Sequence, residues 1–464
     1  MFDVQTGITM QQRLIQIALA LACLLTTSAF AKSPNIIYIM LDDAGYGDFS
    51  CTGQKQFKTP NIDRIAHEGI TFTDHYSGST VCAPTRCSLM TGLHTGHCYV
   101  RGNREVQPEG QAPMPADIIT IPRLLKKKGY VTGMFGKWGL GPPGSVSDPM
   151  EHFDRFYGYN CQRQAHTFYP THLWDNRAKY PLDGKTYSSD LINNQALAFI
   201  RANKDKPFFC YFPTTVPHAA MHAPEDSVAP FRKQFAEYEN TIGKYRGPLV
   251  KNPVAAFAGM MTRLDKSIGQ LLDLLDELGI ADNTIVMLTS DNGPHKEGGH
   301  KPDVFDSNGP FRGYKRDLTE GGIRLPLFVR WPGVAKANSK SAHICAHWDM
   351  LATFCELADV DAPKNDGVSI VPTLRGQTGK QKKHDYLYWE FHERGGKQAV
   401  RIGKWKGLRE NLRKTKGKSP LQLYDLSKDI GETKNVAADH PDIVAKMMKI
   451  CDTAHVDSKI FKFY

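Results

Sequence analysis

Short apolar runs recur along the chain at residues 36–41, 130–135, 208–212, 284–289 and 327–329. They are apolar at nearly every position rather than at alternate ones, the pattern expected of parallel strands buried on both faces. Helical periodicity fills the stretches between them. Thr59-Pro60 reads as an N-cap followed by a first-turn proline, and Gly69 closes that helix. A second pattern, 121–128, ends at Gly129. The longest begins near Pro253, ends at Gly279, and carries Met261, Leu264, Ile268, Leu271, Leu272 and Leu275 on one face. Strand and helix alternating in this way predict an α/β fold, a large mainly parallel sheet with helices on both faces.

After about residue 375 the pattern changes. Short strand-like runs at 386–391, 398–402, 405–408 and 421–425 follow one another, with a polar, basic loop at 409–419 and a last helix near 441–451. This predicts a small C-terminal α+β subdomain with an antiparallel sheet, over 376–464, beside a catalytic domain over 32–375. The net charge is +10, and 19 lysines and arginines against 11 acidic residues place +8 of it in 376–464. A basic surface attracts anionic partners, although a solvated face accounts for it equally well. There is no internal repeat and no low-complexity tract. Residues 1–31 read as an export signal: Arg13, an apolar run over 14–25, then Ala29-Phe30-Ala31 before Lys32. The run is too short for a comfortable membrane span, so the expectation is an exported, periplasmic protein with no stable membrane insertion and no nucleic-acid partner. Of ten cysteines, nine follow this segment. An oxidising compartment would allow some to pair, the odd count leaves at least one without a partner inside the chain, and none has the spacing of a cysteine zinc site.

Ligands of open α/β sheets bind beyond the carboxyl ends of the strands. The run at 36–41 is followed by Asp42 and Asp43, that at 284–289 by Ser290, Asp291 and Asn292, that at 130–135 by Gly136 and Lys137, and that at 208–212 by a loop to His218. Singly, each reads as turn chemistry. Together they gather carboxylates, an amide, a lysine and a histidine on one rim. Asp42, Asp43, Asp291 and Asn292 are hard oxygen donors suited to calcium or magnesium. The segment from Val81 to Gly92, VCAPTRCSLMTG, places Cys82 at a helix start and Arg86 one turn on, a good seat for an anion. Cys82 alone reads as a buried structural cysteine or as a thiolate nucleophile.

Cys82-x-Pro84-x-Arg86 followed by Thr91-Gly92 resembles the signature of type I sulfatases, in the alkaline phosphatase superfamily. Further pieces resemble that family in order: 35–43, Gly136-Lys137-Trp138, Val216-Pro217-His218, Ser290-Asp291-Asn292-Gly293, Gly313-Tyr314-Lys315 with Glu320-Gly321-Gly322, and Leu423-Tyr424-Asp425-Leu426. The resemblance runs from about residue 33 to the C-terminus. It departs at Gly139, where the family often has a histidine that holds the hydrated formylglycine. Arg86 and Lys137 would then hold it alone, or another residue fills the gap, His166 being the candidate.

The resemblance implies that a maturation enzyme oxidises Cys82 to formylglycine, whose hydrate attacks sulfur. Asp42, Asp43, Asp291, Asn292 and the residue at 82 would bind calcium. Arg86 and Lys137 would stabilise the nucleophile, Lys315 the sulfate, and His218 or Lys315 would protonate the leaving alcohol. Arg163 and His166, within an aromatic and polar stretch over 159–174, and His392 and Arg394, beside Trp389, suit a sugar ring. They point to a sulfated carbohydrate, galactose- or hexosamine-containing, or serve as packing at the subdomain boundary. The competing expectations are a phosphonate or phosphodiester hydrolase of the same superfamily, and a sulfated-glycan binding protein that is never matured.

Overall fold

The run at 36–41 forms the strand Asn35–Leu41, buried throughout. Ile37, Ile39 and Leu41 enter one hydrophobic core and Ile36, Tyr38 and Met40 another, which is why no position is left polar. The structure, a computed structural model, describes residues 33–462; the expected export signal lies outside them. Asn35–Leu41 pairs in parallel with Thr284–Ser290 on one side and Phe208–Pro213 on the other. Parallel pairing continues from Phe208–Pro213 to Val131–Lys137 and on to Arg155–Tyr159. Five adjacent strands thus run the same way, at the centre of an eleven-stranded sheet.

Antiparallel pairs flank this centre, and at one edge Ser339–Ser341 and Cys345–Ala346 pair in parallel with Ile70–Tyr76. Arg324–Arg330 runs against Thr284–Ser290 and against Ile70–Tyr76. The stretch 327–329 is therefore a correction to the sequence expectation: it is a strand buried on both faces, but antiparallel. On the opposite margin His172–Asp175 and Ala178–Pro181 add a hairpin. The helices Pro60–His67, Ser188–Ala202 and Pro253–Glu277 cover one face, and Cys82–Thr91, Ile121–Lys126 and Asp349–Leu357 the other. The six apolar residues expected on the longest helix are all buried.

Leu387–Phe391, Lys397–Ile402, Trp405–Arg409 and Gln422–Asp425 form a separate four-stranded antiparallel sheet. Trp389, Phe391, Ala399 and Leu408 pack against Tyr76, Val81, Ile323 and Trp348 of the main body. Tyr388, Val400 and Leu423 pack against Met447 and Cys451 of the helix Pro441–Thr453. Ion pairs cross the seam: Lys406 to Glu320 (2.7 Å), Arg401 to Asp74 (2.8 Å) and Arg101 to Glu390 (2.8 Å). Part of the basic excess of 376–464 is therefore internal and compensated. The nine cysteines among the described residues are all unpaired, and no helix there is long and apolar enough to cross a membrane.

Candidate active site

Thr284–Ser290, Asn35–Leu41, Phe208–Pro213 and Val131–Lys137 are parallel neighbours, so the residues after them meet on one edge. Consecutive residues of an extended strand point to opposite faces. Asp43 escapes this by taking left-handed backbone (φ 69°). Its N–H donates to Asp291 Oδ1 at 3.0 Å, and both aspartates turn inward. Asn292 Nδ2 donates to Asp43 Oδ1 at 2.7 Å.

The helix Cys82–Thr91 starts against this edge. Val81, in extended backbone, is its N-cap, and Gly92 closes it in left-handed backbone (φ 69°). The Cys82 thiol donates to Asp42 Oδ1 at 3.2 Å. Arg86 donates to the Lys137 carbonyl (2.6 Å) and to Asp291 Oδ2 (3.1 Å). Lys137 Nζ lies 2.6 Å from Asp42 Oδ2. Lys315 Nζ donates to Asp43 Oδ2 (2.7 Å) and to His218 Nε2 (3.1 Å). The structure thus brings Asp42, Asp43, Cys82, Arg86, Lys137, His218, Asp291, Asn292 and Lys315 into one buried cluster.

Charge explains the arrangement. Burial opposes ionisation of Asp42, yet Lys137, with Arg86 and Lys315, holds its carboxyl well below the usual range. Asp291 behaves differently: burial and then Asp42 push it up to about 8. Burial, with Asp42 beside it, also pushes the Cys82 thiol well up, so the encoded residue is a poor thiolate. His218 gives its Nδ1 proton to the Ala219 carbonyl, which leaves Nε2 as the acceptor for Lys315. Burial, and then Lys315, keep this imidazole neutral.

A hard divalent cation fits these residues. Ligand atoms of Asp42, Asp43, Cys82 and His218 lie within 4.8 Å of one another. Asn292 Oδ1 is buried without a partner, and the carboxylates of Asp42, Asp43 and Asp291 meet beside it. Carboxylate and amide oxygens are the donors that calcium and magnesium select.

Around the cluster the expected substrate contacts divide. The His166 ring is stacked on His218, 4.6 Å between centroids, and Tyr245 packs on both. Arg163 lies off the cluster, bonded to the Pro108 carbonyl (2.8 Å) and 3.6 Å from Glu105. His392 Nδ1 meets the Arg101 carbonyl (3.0 Å), and Arg394 is exposed. Among the described residues no hydrogen bond, ion pair or ring contact joins Arg163, His392 or Arg394 to the cluster. The approach from residue 392 is indirect: Glu393 accepts from Asn103 N, and Asn103 Oδ1 accepts from Ala83 N, next to Cys82. Trp389 and Glu390 are boundary packing, both buried in the seam.

Three neighbours had no signal in the sequence. Glu297 pairs with Arg316 (2.6 Å) and lies 3.5 Å from Lys315. Tyr245 belongs to an irregular surface loop. Gln162, and not His166, covers Gly139: a Cβ built on Gly139 would stand 2.8 Å from its amide. Gln162 Nε2 is buried and has no partner.

Residues 34–360 match the family model Sulfatase, and residues 311–455 match that of N-sulphoglucosamine sulphohydrolase, C-terminal. The human N-acetylgalactosamine-6-sulfatase is 32% identical over 373 residues, 75% of this chain and 67% of its own length. The N-acetylgalactosamine-6-O-sulfatase of Bacteroides thetaiotaomicron is 27% identical over 507 residues, 91% of this chain and 93% of its own. Among solved structures, Ps i-CgsB in complex with k-i-k-neocarrahexaose superposes with a TM-score of 0.78 at 26% identity, over 91% of this chain and 92% of that one. With the Cys82 motif and the fold, these matches place the chain in the sulfatase family, the formylglycine-type sulfuric ester hydrolases of the alkaline phosphatase superfamily.

Proposed function

We propose that the protein is an exported hydrolase of sulfated carbohydrates that works through a formylglycine made from Cys82, with calcium rather than magnesium held by Asp42, Asp43, Asp291 and Asn292. The observation that carries this reading is the Cys82 side chain, 3.2 Å from Asp42 inside a buried cluster of acidic and basic groups. Calcium is favoured over magnesium because magnesium sheds its waters reluctantly, and these donors are fully buried. When bound, the ion supplies fixed positive charge where negative charge gathers.

The charges then balance. Asp42, Asp43 and Asp291 are answered by Arg86, Lys137 and Lys315. A divalent ion held by these residues would leave the cluster a net positive charge, matched to a sulfate ester and an ionised hydroxyl of the residue at 82. That hydroxyl attacks sulfur, and the sugar oxygen leaves with a proton. Lys315 holds this proton, since His218 presents an unprotonated Nε2; His218 relays it or fixes the ammonium. Deprotonation of the second hydroxyl restores the aldehyde and expels sulfate. Arg86 and Lys137 steady the hydroxyls, and the free amide of Gln162 takes the place that the family gives to a histidine at 139.

The names of the relatives support a sugar substrate: two act on N-acetylgalactosamine sulfate, and a neighbour binds neocarrahexaose. His166 and Arg163 would meet the sugar on one side, and His392 and Arg394 on the other. We assign 1–31 to an export signal directing the chain to the periplasm, 32–375 to the catalytic domain and 376–464 to the C-terminal subdomain. A maturation enzyme is the required partner. Mass spectrometry of the peptide spanning Cys82, on protein from its own host, tests the reading together with turnover of sulfated galactose and hexosamine. Formylglycine, loss of turnover in chelator and recovery with calcium are expected. An unmodified thiol, or faster turnover of phosphate or phosphonate esters, would sink it.

A further inference from the structure

We infer that a pocket next to the cluster binds a neighbouring anionic sugar, so that this protein acts on glycan chains rather than on isolated sulfated sugars. The inference rests on the sulfatase reading for what is cleaved, while the pocket itself stands on its own geometry. Its volume is about 460 Å³, and its lining includes Glu109, Arg163, Tyr169, His172 and Arg246. Sites for small ligands occupy roughly 300–1,000 Å³.

The pocket and the cluster share their walls. The turn Gln164–His166 sends His166 onto His218, while its flanking residues Arg163 and Thr167 line the pocket. Tyr245 packs on the same two histidines, and Arg246, the next residue, lines the pocket. Two segments thus serve both spaces, at a separation of one to three residues along the chain.

The pocket also has an unanswered charge. Arg246 is exposed. Its one polar contact is to the Arg163 carbonyl (3.2 Å), and no carboxylate pairs with it among the described residues. Arg163 reaches Glu105 only at 3.6 Å. Glu109, the acidic group of the lining, is occupied by Trp174 Nε1 (2.7 Å), His172 Nε2 (3.2 Å) and Lys179 (3.7 Å). A guanidinium that no carboxylate answers, in one lining with Tyr169 and His172, suits a sugar that carries a carboxylate or a sulfate.

Three disaccharides test this. They share one terminal sulfated hexosamine, and the neighbouring sugar is neutral, carboxylated or sulfated. A small aryl sulfate is the fourth substrate. Arg246→Ala is expected to lower kcat/KM about tenfold or more on at least one anionic disaccharide. The loss should exceed by several-fold any change on the neutral disaccharide and the aryl sulfate. Arg246→Lys should recover part of it, and the disaccharide losing more names the preferred anion. Equal losses on all four substrates, or none, overturn the inference. Calorimetry with Cys82→Ala protein separates the pocket from the sulfatase reading. If the wild type turns over nothing, tighter binding of an anionic disaccharide that Arg246→Ala abolishes still supports the pocket. Equal affinity for all three disaccharides overturns it.

Discussion

A lysine with no exposed atoms persists only where a carboxylate answers its charge. Lys137 is such a residue, 2.6 Å from Asp42. Breaking a buried pair of this kind costs about 3–5 kcal/mol, because the remaining charge is stranded. Lys137→Met is expected to lose that much stability in chelator, and less with calcium present, since the ion would stand in beside Asp42. Urea denaturation with and without calcium checks this, and an equal loss in both speaks against a cation at Asp42. Gly139 makes the opposite case. Its left-handed backbone (φ 75°) and the Gln162 amide 2.8 Å from its missing Cβ leave no room for a side chain. Gly139→His, which would restore the residue common in the family, is expected to cost about 1–3 kcal/mol from the backbone alone. Adding Gln162→Gly should recover the part due to collision, as thermal unfolding of the single and double variants would show. Asp42, Asp43, Asp291 and Lys137 were legible because each directly follows or ends a strand. Gln162 was not, because its position over Gly139 comes from the pairing of Trp138 and Gly139 with Tyr159 and Asn160, which no spacing records.

The helix Cys82–Thr91 is wedged between the sheet and the helix Asp349–Leu357, with all ten of its residues buried. Its exit at Gly92 needs left-handed backbone, and a Cβ there would meet Leu351 Cβ at 2.9 Å. Gly92→Ala is expected to cost about 1–3 kcal/mol and to lower activity by shifting Arg86, read as a fall in both Tm and kcat. The helix Asp349–Leu357 has its own tether: His384 Nε2 lies 2.8 Å from Asp349 Oδ1. Burial works against the His384 charge, but Asp349, with smaller help from Asp366 and Asp385, raises its pKa above the usual 6.5. A raised folded pKa means that the contribution is complete below about pH 6.5 and is lost as pH climbs through the folded value. His384→Gln is therefore expected to be most destabilising in acid and to approach wild type in alkali, in unfolding curves taken across pH. At this scale the doubly buried strands were legible as unbroken apolar runs. The direction of 327–329 was not, since burial on both faces looks the same whichever way the neighbour runs. Ile70–Tyr76 carries Thr71, Thr73, Asp74 and His75 and so gave no apolar run.

Across the whole molecule, the C-terminal sheet closes over the ground from which the Cys82 helix starts. Trp389 Nε1 donates to the Ser77 carbonyl at 2.9 Å, and Val81 lies in the same hydrophobic cluster. Glu320 is the buried pivot of the seam, meeting Lys406 (2.7 Å), Tyr76 Oη (2.6 Å) and Arg324 (3.2 Å). Glu320→Ala is expected to cost about 3–5 kcal/mol, with amide exchange in the four C-terminal strands accelerating before that of the central sheet. Uniform acceleration would mean that both parts unfold as one. The four strands and last helix of this region were readable from their periodicity. Their docking beside Val81 was not, because it depends on which face of each strand meets the main body.

Cys82 exposes about 1% of its surface, at the start of a helix whose ten residues are all buried. The maturation enzyme proposed above would have to reach this residue before the sheet closes over it. Under the proposed maturation of Cys82, oxidation and folding would compete for each newly made chain, and molecules that folded first would be intact, stable and inert. The specific activity of a preparation would then measure the outcome of that race during synthesis, and enzyme or calcium supplied later would not change it without unfolding the protein.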